Sequence, residues 1–382
     1  LDELHVANIV DWQRKALTMT IKEILLFLES KAPYSLQESY DNSGLITGSP
    51  EMKSNGAVIS LDCTEDVVDE AIRLGVNTII SHHPIVFSGL KRFTGRNYVE
   101  RTIIKAIKHD IAIISFHTNL DNVIDGVNSM IAEKLGLSNC SILDPKKEQL
   151  YKIVIFVPHD HADKVLNAMF DAGAGNIGNY SECGFRTEGL GSFKPTEKSN
   201  PHKGTKGERH TESESKIEVV CPKWRIDQVM KSVRATHPYE EVAHEITQME
   251  NKWEEIGAGM IGELSTAMET SEFLSFLKNK MNAGCVKYTK PISKSISKVA
   301  ICGGSGSFLL DKAIQKGADI FISSDFKYHQ FFDADGRIII ADIGHFETEQ
   351  FTIDLLSAWF AEKFPIFATH KTGVVTNPIN YL

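Results

Sequence analysis

The same alternation runs through this chain twice, and that repetition limits its fold more than any other feature. From Ile21 to Leu137, short β-branched runs (Ala57-Val58-Ile59-Ser60-Leu61, Thr78-Ile79-Ile80, Ile111-Ala112-Ile113-Ile114) are separated by helical periods at Val67 to Leu74 and Val99 to Ile107. Late in the chain, Val299-Ala300-Ile301, Ile320-Phe321-Ile322 and Ile338-Ile339-Ile340 alternate with helices at Leu309 to Lys316 and Phe351 to Phe360. Buried strands alternating with helices build an α/β layer around a mostly parallel sheet. At 382 residues the chain also exceeds what one core usually supports, so two or three domains are expected.

The middle breaks the pattern. Tyr151 to Val157 and Lys216 to Val220 read as strands on either side of a polar stretch, residues 194–216, whose Lys, Glu, Ser, Thr, Gly and His content cannot bury enough surface to order itself and implies a long hairpin loop. With helices at Ala162 to Ala172 and Lys223 to Thr236 and a last strand near Val242 to Ile246, this segment spells a small α+β sandwich of ferredoxin-like type. The expected organisation is an extension over 1–18, a first half of a split α/β domain over 19–147, an inserted domain over 148–250 and a second half over 251–382. Met19 opens an amphipathic helix through Ile21, Leu25 and Leu28, which sets the residues before it apart.

Composition removes several classes of function. A formal charge of −9 from dispersed carboxylates, with no basic stripe, argues against duplex nucleic acid as a direct ligand. Six cysteines without a CxxC pair fit neither a disulfide framework nor a thiolate zinc knuckle, and point to a reducing cytoplasm. No apolar run approaches the roughly 20 residues of a membrane span, and the first eighteen residues lack the apolar segment of a signal peptide.

Three runs end in residues with ligand chemistry. Ser81-His82-His83-Pro84 follows the strand at Thr78, in the place where α/β sheets hold ligands, and adjacent imidazoles there can serve two metals. Taken alone, the dipeptide fits one solvent-facing and one helix-capping histidine better than a metal site. Ile113 to Asp121 ends in His117 and Asp121, either of which could bind metal; Asp121 could instead cap the helix near Val127 to Leu135. Ile338 to Glu349 passes through a glycine turn into His345 and Glu349, four apart on one helical face. Carboxylate and imidazole donors suit two divalent ions about 3.5 to 4 Å apart, and without thiolate they accept zinc, manganese or iron.

Three other features carry weaker chemistry. Cys302-Gly303-Gly304-Ser305-Gly306 could cradle a phosphate but reads better as a tight turn. Asp325, Tyr328 and His329 follow another strand end and could orient ligands or shuttle a proton; surface polarity accounts for them nearly as well. Asp41-Asn42-Ser43-Gly44 is a turn whose Asp could line a pocket.

Taken together, Tyr40-Asp41-Asn42-Ser43-Gly44-Leu45, Ser81-His82-His83-Pro84, His117-Thr118-Asn119-Leu120-Asp121 and Gly344-His345-Phe346-Glu347-Thr348-Glu349 resemble the Nif-three-like family, whose members commonly go by the description GTP cyclohydrolase 1 type 2 homologue. The likeness continues through Ile256 to Leu264 and Gly303-Gly304-Ser305-Gly306, and so covers nearly everything from Met19 onward. The middle segment, marked by Gly173 to Gly178 and His237-Pro238-Tyr239-Glu240-Glu241, is similar to the PII and CutA trimeric folds inserted in the longer bacterial members. The Arg186 to Ser215 loop is more hydrophilic than that resemblance leads one to expect.

The resemblance implies a toroidal homohexamer with metal sites facing an internal cavity. It implies His82, His83, Asp121, His345 and Glu349 as ligands of two divalent ions per subunit, zinc first, with Glu349 touching both and His117 beside them. Two functions follow. One is a metal-dependent hydrolase acting on a small molecule, GTP or another nucleotide or phosphoester, with His117 or His329 moving protons. The other is a binding ring, a metallochaperone or sensor, whose inserts gate the cavity.

Overall fold

The computed structural model describes residues 18–292 and 294–382, so residues 1–17 of the expected extension lie outside the described residues. Pro145–Glu254 form one compact unit, and the chain up to Asp144 and from Glu255 forms the other.

In the larger unit the alternation builds two sheets rather than one layer. The first places Thr369–Lys371, Ala57–Ser60, Thr78–Ser81, Ala112–Ser115 and Gly44–Thr47 side by side in that order. The first four are parallel, and only the edge strand Gly44–Thr47 runs against its neighbour. Every residue of the three central strands is buried, as a sheet covered on both faces requires. One of those faces is covered by the helices Glu65–Leu74 and Tyr98–Lys108, whose Val67, Val68, Ala71, Ile103 and Ala106 pack with Val58, Ile79 and Ile113. Their starts are capped by the Thr64 and Asn97 side chains, which satisfy amides that a helix leaves unpaired.

Register is what makes this sheet useful. Ser60 pairs with Ser81 and Ser81 with Ser115, so three strands end in one row and Asp62, His82-His83 and His117 emerge together along one edge.

The second sheet runs Lys287–Tyr288, Ile339–Asp342, Ile320–Ser324, Ser295–Ser305, Gly257–Glu269, Leu137–Pro145. Its three middle strands are parallel, with Ser323 opposite Asp342, so Asp325 and the Gly344-His345 turn also leave from neighbouring ends. One core gathers Ile131, Leu135, Phe273 and Leu277 over one set of its side chains, and a second gathers Leu309, Ala313 and Phe326 with Phe321 and Ile340. Among the described residues no helix is long and apolar enough to cross a membrane.

The smaller unit is a β-α-β-β-α-β chain. Its antiparallel strands are ordered His244–Gln248, Leu150–Pro158, His210–Pro222, Gly184–Phe193. The helices Ala162–Asp171 and Ile226–Thr236 bury Val165, Met169, Val229 and Val233 against Ile153, Ile155, Ile217 and Val219. The polar stretch differs from its reading as loop throughout. From His210 it is strand, paired residue by residue with Phe193 back to Gly184. Main-chain hydrogen bonds hold a ladder whatever its side chains, and this hairpin arm leaves alternate residues to solvent, where polar ones cost nothing.

Candidate metal centre

Three ring nitrogens and two carboxylates converge where the two sets of strand ends meet. His83 Nε2 lies 2.9 Å from Glu349 Oε2 and 3.3 Å from His345 Nε2, and His345 Nε2 lies 3.1 Å from the same Glu349 oxygen. The other Glu349 oxygen, Oε1, is 3.8 Å from His82 Nε2, which in turn is 3.7 Å from Asp121 Oδ1. One carboxylate therefore faces two donor groups, one with each oxygen. Around a tetrahedral zinc with donors about 2.0–2.2 Å away, ligand atoms sit roughly 3.4 Å apart, close to these spacings.

Each imidazole is held by its far nitrogen. His82 Nδ1 donates to the Phe116 carbonyl at 2.9 Å, which places the proton there and leaves Nε2 with its lone pair. His83 Nδ1 donates to Asp62 at 2.8 Å, and Asp62 also accepts from the Thr376 hydroxyl at 2.6 Å. His345 Nδ1 donates to Asp325 at 2.6 Å. Carboxylates and carbonyls behind histidines are how proteins fix the tautomer and raise the basicity of a metal ligand.

The fully buried His82 Nε2 and the buried Asp121 Oδ1 have no hydrogen-bond partner in this structure. Orphaned buried polar atoms are costly, and two of them 3.7 Å apart, with opposite ligand chemistry, fit a cation between them. The donor set holds nitrogen and oxygen without sulfur, as expected for zinc, iron or manganese.

Electrostatics points the same way. Burial holds His82 below the usual histidine range, against the pull of Glu349, and so keeps it neutral. Burial also lowers His83, but Glu349 and Asp62 outweigh it and raise the ring to about 10. His345 is raised to about 11 in the same way, the Glu349 and Asp325 carboxylates overcoming burial. Burial and the Glu349 charge push Asp121 well above the ordinary carboxylate range, whereas the His345 and His83 charges, overcoming burial, hold Glu349 well below it. The two imidazolium charges thus stand where a divalent cation would serve the same carboxylates.

Local sequence explains the positions. His345–Glu349 is a single helical turn, and its four-residue spacing puts both side chains on one face. Gly344 precedes it at φ 101°, a conformation that favours glycine. Asp121 ends the short helix Thr118–Asp121 and caps nothing downstream, since the helix Val127–Leu135 has no side-chain cap. The Gly303 and Gly304 amides are already donated to the Asn128 side-chain oxygen and the Thr348 hydroxyl, so these two are not free to hold a phosphate. Its role is space: Gly304 sits at φ 61°, and a Cβ there would run into the Glu349 carboxylate.

His117 lies at the rim. Its Nδ1 donates to the buried Asp41 carboxylate at 2.7 Å, and one ring nitrogen each of His82, His83 and His117 lie within 4.8 Å of one another. His329 is elsewhere, exposed on the turn Tyr328–Ala334 with its ring against Tyr328 and Phe332, and it does not line the cleft. That turn carries its side chain outward, which its position near a strand end could not reveal. Asp62 and Thr376 escaped sequence reasoning. Asp62 follows the strand Ala57–Ser60 and could have been found by the strand-end rule that found the histidines; Thr376 lies in the last segment of the chain and had no signal.

Asp325 allows a direct test of this bracing. It sits at φ 59°, which asparagine also tolerates, so Asp325→Asn keeps the backbone while removing the charge behind His345. Metal affinity is expected to fall about 10- to 100-fold with the fold intact, measured by competition with a chromogenic chelator. Unchanged affinity would remove Asp325 from the centre.

Residues 19–378 match the family model described as Duf34/NIF3 (NGG1p interacting factor 3). The GTP cyclohydrolase 1 type 2 homolog of Staphylococcus epidermidis is 35% identical over 370 residues, spanning 95% of this chain and 100% of the relative. The protein of the same description from Halalkalibacterium halodurans is 39% identical over 325 residues, 84% of this chain and 87% of that one. Among solved structures, a Bacillus cereus protein related to NIF3 superposes with a TM-score of 0.84 at 36% identity, covering 95% of this chain and 99% of the other.

Proposed function

Given that the chain belongs to the Duf34/NIF3 family, we propose that its cluster binds two divalent metal ions and serves a hydrolytic reaction on a small molecule, nucleotides and phosphoesters included. The observation that carries this reading is the two-sided carboxylate of Glu349, with His83 and His345 at one oxygen and His82 and Asp121 at the other. His83, His345 and Glu349 would hold one ion, and His82, Asp121 and Glu349 the second, zinc being the first candidate and iron or manganese the others. Bound there, such ions supply Lewis acidity and lower the pKa of water at the site.

The chain's own groups do the rest. Asp62, Asp325 and the Phe116 carbonyl fix the imidazoles before anything binds, so no reorganisation is needed when charge develops. His117, oriented by Asp41, is placed to take or give a proton at the rim. A cleft of about 1060 Å³ opens over His83, His117, Asp121, His345 and Glu349, large enough for a small-molecule substrate. The smaller unit's strand order and two helices support reading it as a ferredoxin-like domain of PII/CutA type. The six free cysteines support a cytoplasmic setting. A toroidal homohexamer belongs to the same reading, and rests on the family resemblance.

Protein purified without chelator should carry two ions per chain by elemental mass spectrometry, and should turn over at least one member of a nucleotide and phosphoester screen. Its thermal midpoint should fall on chelation, because ligands that bind only the folded state stabilise it by mass action. A folded chain that takes up no zinc, iron or manganese would sink the proposal. Two ions with no turnover would favour the metal-binding ring.

A further inference from the structure

Two large rings stand exposed at the mouth of this cleft. Tyr40 and Phe87 are 63% and 51% exposed, and both line the cavity that holds the cluster. Their centroids are 6.2 Å apart with the planes tilted by 47°. Phe87 lies 6.3 Å from His117, edge to face, and His117 lies 5.2 and 5.4 Å from His82 and His83. A continuous path of rings therefore leads from solvent to the cluster.

This arrangement is built rather than incidental. The Asn42 side-chain amide donates to the Val86 carbonyl at 2.6 Å, tying the loop that carries Tyr40 to the loop that carries Phe87. Asp41, next to Tyr40, accepts from His117 and from the amide and hydroxyl of Thr118. Both rings are thus keyed to His117 through hydrogen bonds, while their faces remain uncovered. Exposed aromatic surface with fixed geometry beside a cavity is characteristic of a recognition site.

From these contacts we infer that Tyr40 and Phe87 form a stacking platform for a flat aromatic ring, which places the rest of that molecule at the metal cluster. The inference depends on the hydrolase reading for its purpose and not for its geometry. Stacking on an aromatic face tolerates any planar ring.

Isothermal titration of the chain with its native metals, using guanosine, adenosine and nicotinamide as ring probes and ribose as a ring-free control, tests this platform. At least one ring probe should bind, and the Tyr40→Leu, Phe87→Leu double variant should bind it about tenfold more weakly or worse. Phe87→Tyr keeps the ring face and should restore most of the affinity in the presence of Tyr40. Any weak ribose binding should be the same in all variants. The inference is overturned if no ring probe binds the folded wild type, if the double variant loses nothing, or if ribose binding falls in parallel. Elemental analysis of each sample separates the two readings. Ring-dependent binding by a chain that takes up no metal would keep the platform and sink the hydrolase, whereas a metal-replete chain without ring dependence would sink the platform alone.

Discussion

Replacing Glu349 by alanine should empty both metal positions at once, taking bound metal from two ions per chain to near none while the chain stays folded. The carboxylate is 3% exposed and provides an oxygen to each donor group. Without it one position keeps only His83 and His345 and the other only His82 and Asp121, and two donors seldom hold a divalent ion against water. Loss of a single supporting hydrogen bond already costs about 10- to 100-fold in affinity, so loss of a shared ligand should exceed that at both positions. The fold should survive because Glu349 belongs to a one-turn helix at the strand ends, outside the apolar cores. Thermal melts give an independent reading. At metal concentrations about 100 times Kd, binding stabilises by about 2.7 kcal/mol, so the wild-type midpoint should drop on chelation and the Glu349→Ala midpoint should not. A folded Glu349→Ala chain that retains two ions would refute the shared-ligand geometry.

The parts of this molecule visible in its sequence are those where one residue type is forced. Strands buried on both faces must be apolar throughout, so Ala57–Ser60, Thr78–Ser81, Ala112–Ser115 and Ile339–Asp342 stand out of the text. Polar residues directly after such strands mark a ligand-bearing edge, which is how His82, His83, His117, Asp121, His345 and Glu349 could be named, and the structure brings their side chains to one place. Pairing partners were not legible. Nothing in Thr369–Lys371, three residues long, shows that it joins the first sheet, nor does Leu137–Pro145 announce that it completes the second, because hydrogen-bond partners at that range are chosen by the assembled core. The row of Ser60, Ser81 and Ser115 depends on that same pairing, and so does the convergence itself. Direction was also hidden: the strand-end rule says where a chain emerges, not where its next side chain turns, which is why His329 could be nominated beside Asp325 and yet face solvent.

His117 separates an enzyme from a metal store more sharply than any ligand does. Its Nδ1 is committed to Asp41, which is itself buried and bonded to Thr118, so the ring cannot easily swing away and its other nitrogen is the one available at the cluster. That pattern is shared with His83 and His345, whose far nitrogens are likewise held by Asp62 and Asp325. His117 differs in having no carboxylate of the cluster for its Nε2, whereas His83 and His345 both reach Glu349. An imidazole so placed contributes typically about 10² to 10⁴ in rate when it moves a proton. His117→Gln retains a side chain that can meet Asp41, and in a hydrolase it should keep two ions and lose turnover by that factor. In a protein that only binds metal, it should change neither metal content nor ligand affinity. Metal content measured beside the initial rate, on whichever substrate the screen yields, distinguishes the cases. Full turnover in a metal-replete His117→Gln chain would remove His117 from the mechanism, and loss of an ion together with turnover would make it a ligand of the position that His82 and Asp121 share.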